Sequence, residues 1–318
     1  MHPARVHPFR PGINRRDALL AAGVCDHELR LLRRRGRITA VRPGAYIVED
    51  VARDAVLSHR LAVHAAYVCL GAGAVISHGS AAVLHRLPLP GAPPARVHAT
   101  RARRSGARVS GVVHLHAAAL EPDEVVVVDG LPVTSIPRTL VDLARTLPFE
   151  RGLVPADAAL HTHLVTRASL DEALERASGR PGNHTARQVL AFARPGAMSP
   201  GETLSRLAIH RAGLPAPELQ HLVRTEGGVV LGQVDFWWEE FATAGEFDGR
   251  AKYGRLLRPG QDPGDVVFAE KVREDALRAD GREVVRWIWP ELSSFDGVAR
   301  RILAAFARGG RGRPARNP

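Results

Sequence analysis

Cysteine is almost absent: two residues in 318, Cys25 and Cys69, exclude a disulfide framework and any cysteine-based zinc centre. Both read as small buried hydrophobes of a reducing compartment. Lysine is nearly as scarce, occurring only at 252 and 271, so 42 of the 44 basic side chains are arginine. No apolar run approaches the roughly 20 residues of a membrane span. The start, Met1-His2-Pro3-Ala4-Arg5, lacks the apolar core of a signal peptide. The expectation is a cytoplasmic protein with no membrane partner.

What is present is arginine, alanine, valine and leucine. Hydrophobic residues make up 45% of the chain, enough to fill two or three domain cores at this length. A formal net charge of +11 points to a polyanionic partner, and nucleic acid, DNA first, fits best. Where only positive charge is wanted this chain uses arginine. A lysine offers what a guanidinium does not, a compact point charge with an adjustable pKa. Both lysines fall within or just after one acidic stretch near the C-terminus.

Residues 1–50 read as a winged helix-turn-helix. Asn14 and Asp26 are placed to cap two short helices, ended by Gly23 and Gly36, and the hairpin 37–48 turns at Pro43-Gly44 as a wing does. The second helix is the one to enter a major groove. Arg30, Arg33, Arg34, Arg35, Arg37 and Arg42 are then the DNA-binding residues, available to phosphates or guanine edges.

Residues 51–195 predict a middle α/β domain. A helix runs from about 53 to 70, strands are expected at 96–100, 112–116 and 124–128, and 133–145 reads as a strand end leading into a helix whose Leu140, Leu143 and Ala144 fall on one face. Two histidine pairs, His114/His116 and His161/His163, have no third or fourth ligand at a matching spacing, so no histidine metal centre is expected. Ser77, His78 and Asp142 lack the nucleophile-elbow context of a hydrolase triad.

Three segments carry a resemblance. They are Arg42-Pro43-Gly44-Ala45-Tyr46, the Ser-His-x-Ser-Ala-Ala-x-Leu-His of 77–85, and the Val-Thr-Ser-x-x-Arg-Thr-Leu-Val-Asp-Leu-Ala-Arg of 133–145. Together residues 10–190 resemble the bacterial AbiEi-type antitoxin family. That likeness implies a DNA-binding winged helix with a companion α/β domain, and a cognate toxin as partner.

Turn-rich segments at 179–183 and 194–197 mark the start of a last domain, 196–307. Ser199 and Glu202 form a capping box for a helix whose Leu204, Leu207 and Ala208 are expected to make the buried stripe. A hairpin follows. If it closes about residues 240 and 241, Asp235 lies opposite Glu246. Gln233, Asp235, Glu246 and Asp248 then share a polar face, backed by Val234, Phe236, Trp238 and Phe247. Opposed carboxylates repel unless a cation lies between them, and Mg²⁺ takes such ligands. A final helix is expected to bury Phe295, Val298, Ile302, Leu303 and Phe306, and 308–318 reads as a disordered basic tail.

Ser199-Pro200-Gly201-Glu202, Val234-Asp235-Phe236, Glu246-Phe247-Asp248-Gly249, the helix from Glu270 and the strand 283–289 occur in an order that resembles the PD-(D/E)XK nucleases, in the branch of the very-short-patch-repair endonucleases. The resemblance implies a C-terminal restriction-endonuclease-like α/β domain with a mixed sheet. It also implies catalytic roles for Glu202, Asp235, Glu246, Asp248 and Lys252, with Mg²⁺ (or Mn²⁺) on Asp235 and Glu246. Asp248 stands where that family has its lysine, and Lys252 is the ammonium nearest to replace it.

The expected fold class is therefore α/β and multi-domain, and the expected function a DNA-binding, Mg²⁺-dependent deoxyribonuclease. The alternative is a non-catalytic transcriptional regulator, or the antitoxin of a type IV toxin–antitoxin system.

Overall fold

The computed structural model describes residues 9, 12–48, 54–103, 106–249 and 272–309. It is mixed α/β, with three sheets among these residues, and divides into two units, Met1–Ala193 and Arg194–Pro318.

The first unit begins with β1 (Asn14–Arg15), α1 (Arg16–Ala21) and α2 (Asp26–Arg34), followed by β2 (Ile38–Arg42) and β3 (Ala45–Val48). The strands form one sheet in the order β1-β3-β2. Leu19, Val24, Leu29, Ile38 and Tyr46 make its core. Gly44 turns the hairpin at φ 75°, a backbone region that an L side chain enters at a cost. Two expected caps are not formed. Asn14 belongs to β1, with its amide donating to the Gly12 carbonyl, and Arg15 precedes α1. Asp26 is the first residue of α2 rather than its cap, and its carboxylate pairs with Arg16.

The remainder of this unit contains α3 (Ala55–Leu70), capped by the Asp54 carboxylate, then β4 (Ala74–Ile76) and α4 (His78–Leu84). Next come β5 (Val97–Ala102), β6 (Arg108–Val109), β7 (Val113–Ala118), β8 (Val125–Val128) and β9 (Leu131–Thr134). They form a six-stranded sheet, β6-β7-β5-β4-β9-β8, in which β5 and β7 run parallel. Helices α5 (Ile136–Thr146), α6 (Phe149–His161), α7 (Arg167–Arg176) and α8 (Asn183–Phe192) follow.

The Arg-Thr-Leu-Val-Asp-Leu-Ala-Arg motif lies on α5, where its charges are buried. Arg138 is 1% exposed and pairs with Glu124 at 2.8 Å and with Asp142 at 2.9 Å. Arg145 reaches the other Asp142 oxygen at 3.0 Å. Leu140, Leu143 and Ala144 are buried, as their spacing predicts.

The second unit runs α9 (Pro200–Arg211), β10 (Glu218–Arg224), β11 (Val230–Trp238), β12 (Thr243–Asp248), a helical stretch 272–279 (α10), β13 (Glu283–Ile288) and α11 (Asp296–Gly309). The sheet order is β10-β11-β12-β13, antiparallel except for the parallel β12–β13 pair. A parallel neighbour requires a crossover, and the chain between β12 and β13 contains α10. Phe236, Trp238, Phe247, Val285 and Trp287 pack with Val298, Ile302 and Phe306 of α11. Val223, Val234, Trp237, Ala244, Leu277 and Val284 form a second cluster.

Three expectations about this unit are corrected. Of the stripe expected on α9 only Leu207 is buried, while Leu204 and Ala208 are half-buried and Ile209 is buried instead. Val234 packs in the second cluster with Trp237 rather than with Phe236 and Phe247. Leu303 on α11 is 52% exposed, because the buried stripe of that helix passes through Val298, Ile302, Ala305 and Phe306.

Gly201 lets α9 lie directly on the sheet, since a Cβ there would overlap the Phe247 ring. Gly201→Ala is expected to destabilise the C-terminal unit by about 1–3 kcal/mol, the usual range for overpacking. A lower urea midpoint at unchanged slope would show it.

Candidate functional site

Strand pairing fixes where the acids stand. Phe236 faces Gly245, Trp237 faces Ala244 and Trp238 faces Thr243. The β11–β12 pairs end at Phe236–Gly245, so the expected Asp235–Glu246 pair is not among them; next to the last pair the Asp235 carboxylate accepts the Phe247 backbone N–H, and Glu246 adjoins Phe247 on β12. The connection itself is a short 3₁₀ turn, Glu239–Phe241, with Ala242 left-handed at φ 43°. Both carboxylates are withdrawn from solvent, at 8% and 9% exposure.

A third strand contributes the residue that joins the acids. Gln220 sits in β10 with φ 53°, a left-handed conformation rare for a residue with a long side chain. Its amide donates to Glu202 Oε2 at 2.9 Å and to Asp235 Oδ1 at 3.2 Å. Asp235 Oδ2 accepts the Phe247 backbone N–H at 2.9 Å. Glu202 also accepts from the Met198 N–H and the Ser199 hydroxyl, both at 2.8 Å, so it caps α9 while facing the site.

Glu246 has a cation already. Arg273 on α10 donates to both of its carboxylate oxygens, at 3.1 and 3.0 Å. Next to this pair Glu274 binds Arg286 at 3.0 Å. Asp248, at the end of β12, is half-buried. Lys252 and Lys271 lie outside the described residues, as does the tail from 310.

Gln220 thus links Glu202 to Asp235, and Arg273 binds Glu246; neither Gln220 nor Arg273 was singled out from the sequence. Gln220 gives no periodic signal, because its side chain reaches the acids through a left-handed backbone. Arg273 is one of 42 arginines.

Among the arginines expected to bind DNA, Arg30, Arg33, Arg34 and Arg35 are on α2 or at its end, Arg37 is exposed before β2, and Arg42 is half-buried. The α2 surface is densely cationic.

A second cluster lies in the first unit. β5 and β7 run parallel with His98 beside His114, which places His98, His114 and His116 together, and His78 follows β4 at the start of α4. His98 Nδ1 and His116 Nε2 are 3.0 Å apart, and the His78 and His116 rings stack at 3.8 Å. His78, His98 and His116 bring their ligand-capable nitrogens within 4.8 Å of one another. The sequence suggested no such grouping, because its members come from three separate segments. Burial, reinforced by the neighbouring imidazoles, pushes His98 down to about 4, His116 down to about 2 and His78 well below the usual histidine range.

No hydrolase triad forms at Ser77. It bonds His78 Nδ1 at 2.9 Å, but the Asp142 oxygens are held by Arg138 and Arg145.

No family model matches the chain. The relatives found are mycobacterial. The "Uncharacterized protein Rv2248" and "Uncharacterized protein MT2308" of two Mycobacterium tuberculosis strains are each 36% identical to it over 121 residues. Those residues are 38% of this chain and 44% of the relatives, so the match spans less than half of either protein. A solved structure, "Crystal structure of RV2827C protein from Mycobacterium tuberculosis", aligns at a TM-score of 0.38 and 16% identity over 70% of this chain and 86% of that one.

Proposed function

We propose that this chain binds DNA through residues 1–50, a winged helix-turn-helix, and that its C-terminal unit is a PD-(D/E)XK-like domain hydrolysing phosphodiester bonds. The observation that carries the reading is that neighbouring strands each bury an acid, Asp235 on β11 and Glu246 on β12, with the Asp235 carboxylate bonded to the β12 backbone at Phe247. The helix, three antiparallel strands, helix and parallel strand around them support the fold likeness.

The donor type suits Mg²⁺ or Mn²⁺, hard cations that take carboxylate oxygens. Asp235 and Glu246 would hold the ion. When bound, it supplies Lewis acidity toward a phosphate and lowers the pKa of a water. The protein's own groups do the positioning. Gln220 and the Phe247 N–H fix the Asp235 carboxylate, and the α9 cap fixes Glu202 beside Gln220. Lys252 is proposed as the ammonium near the scissile phosphate.

A second reading has one observation in its favour. Arg273 already neutralises Glu246, which is what a non-catalytic regulator or toxin-associated antitoxin would retain after giving up its ion. Plasmid nicking by the purified protein with Mg²⁺ or Mn²⁺ decides between the two. Nicking supports the enzyme, and its absence with DNA binding intact supports the regulator.

DNA binding has its own test. Reversing Arg33, Arg34 and Arg35 to glutamate is expected to weaken binding and to lower the slope of log K against log salt by about 0.9 for each phosphate that is no longer neutralised. Mobility shifts across a range of salt concentrations would measure it. An unchanged slope would mean that α2 does not touch the DNA backbone.

A further inference from the structure

We propose that His78, His98 and His116 form a binding site for a borderline divalent transition metal, Zn²⁺ in the first instance, with one coordination position left to water. The site belongs to the first unit and is independent of the acidic network.

Three features of the geometry support it. The ligand nitrogens lie within 4.8 Å of one another. Zinc holds nitrogen at ~2.0–2.1 Å in a tetrahedral site, which sets ligand nitrogens about 3.3 Å apart. His98 Nδ1 and His116 Nε2, at 3.0 Å, are already near that spacing. His78, stacked on His116 at 3.8 Å between ring centroids, supplies the third nitrogen within the 4.8 Å span.

The outer shell is also built. Ser77 Oγ lies 2.9 Å from His78 Nδ1 and accepts the Thr100 hydroxyl at 2.8 Å. With Nδ1–H donating to Ser77, Nε2 of His78 is left bare for the ion. A histidine ligand whose second nitrogen is held by a hydrogen bond is the usual arrangement around zinc. His78 itself is fixed in a left-handed backbone, φ 52°. Such strain persists only where the surroundings enforce it.

Without an ion, one of His98 and His116 must donate to the other. With the ion bound both lone pairs face it, and the donor's proton moves to its far nitrogen. His114, stacked on His116 at 4.0 Å, walls one side. Positive charge nearby is balanced: Arg138 and Arg145 are paired with Asp142, and Arg138 with Glu124. Nitrogen-only ligation selects zinc, copper, nickel or cobalt over magnesium and calcium.

The test is cobalt and zinc titration of the untagged full chain after chelator treatment. One equivalent of Co²⁺ should give the intense visible bands of a tetrahedral nitrogen site, and Zn²⁺ should abolish them. His98→Gln combined with His116→Gln should remove this binding, whereas His161→Gln with His163→Gln should not. Ser77→Ala, which keeps all three ligands, should weaken binding ~10–100-fold, as removal of an outer-shell partner does. Asp235→Asn should leave the titration unchanged. No tetrahedral cobalt spectrum in the wild type, its retention in the double glutamine variant, or its loss in Asp235→Asn would each overturn the assignment.

Discussion

Asp235→Asn is expected to abolish Mg²⁺-dependent nicking while leaving the protein folded. Asparagine has the volume of aspartate, and its carbonyl oxygen still accepts the Phe247 N–H that the carboxylate now accepts at 2.9 Å. What is removed is one negative charge at the position proposed to hold the ion, together with the acceptor of the Gln220 amide. A metal that polarises a phosphoryl oxygen supplies several kcal/mol of transition-state stabilisation. At about 1.36 kcal/mol per factor of ten, forfeiting about 4 kcal/mol slows cleavage on the order of 10³-fold. Initial rates on supercoiled plasmid, with near-native circular dichroism as control, measure it. Glu246→Gln should act in the same direction. It also removes the charge opposite Arg273, so its interpretation depends more on the stability control. Equal nicking by wild type and Asp235→Asn would remove Asp235 from the site.

How much of this site was readable depends on how local each signal is. The hairpin was legible because a period of two and a short polar connection define a register, and the pairs Phe236–Gly245, Trp237–Ala244 and Trp238–Thr243 follow it. The capping role of Glu202 was legible for the same reason, since Ser199 and Glu202 are one helical turn apart. Gln220 and Arg273 were not, because each reaches the acids from an element whose placement only the tertiary fold determines. The histidines show the same limit: His114 and His116 are neighbours in sequence, while His78 and His98 join them through a parallel strand pair and the end of β4. Burial on α11 was misjudged at Leu303, which lies outside the stripe of Val298, Ile302, Ala305 and Phe306. The caps at Asn14 and Asp26 were misplaced because each polar residue found another partner, a backbone carbonyl and Arg16 respectively.

The largest effect on stability is expected at Arg138. The residue is 1% exposed, and it holds Glu124 and Asp142, themselves 4% and 1% exposed. Arg138→Met fills much of the same volume but strands two buried carboxylates, with only Arg145 left to Asp142. Breaking a buried pair in this way costs ~3–5 kcal/mol, most of it the penalty of an uncompensated charge. Denaturant unfolding followed by circular dichroism should show an early transition for the first unit, with the second unfolding as in the wild type if the units are independent. The cause can be separated from weakened packing. Adding Glu124→Met and Asp142→Leu to Arg138→Met removes the stranded charges, leaving Arg145 its bond to the Pro181 carbonyl, and replacement of a whole buried ion pair by apolar residues of similar volume is often close to neutral. Recovery of most of the stability in the triple variant would assign the cost to charge. No recovery would assign it to the hydrogen bonds that Arg138 makes to both acids and to the Ala119 carbonyl. In either case the arginine of the α5 motif acts as an internal counterion, and its place in the sequence reflects folding rather than contact with DNA.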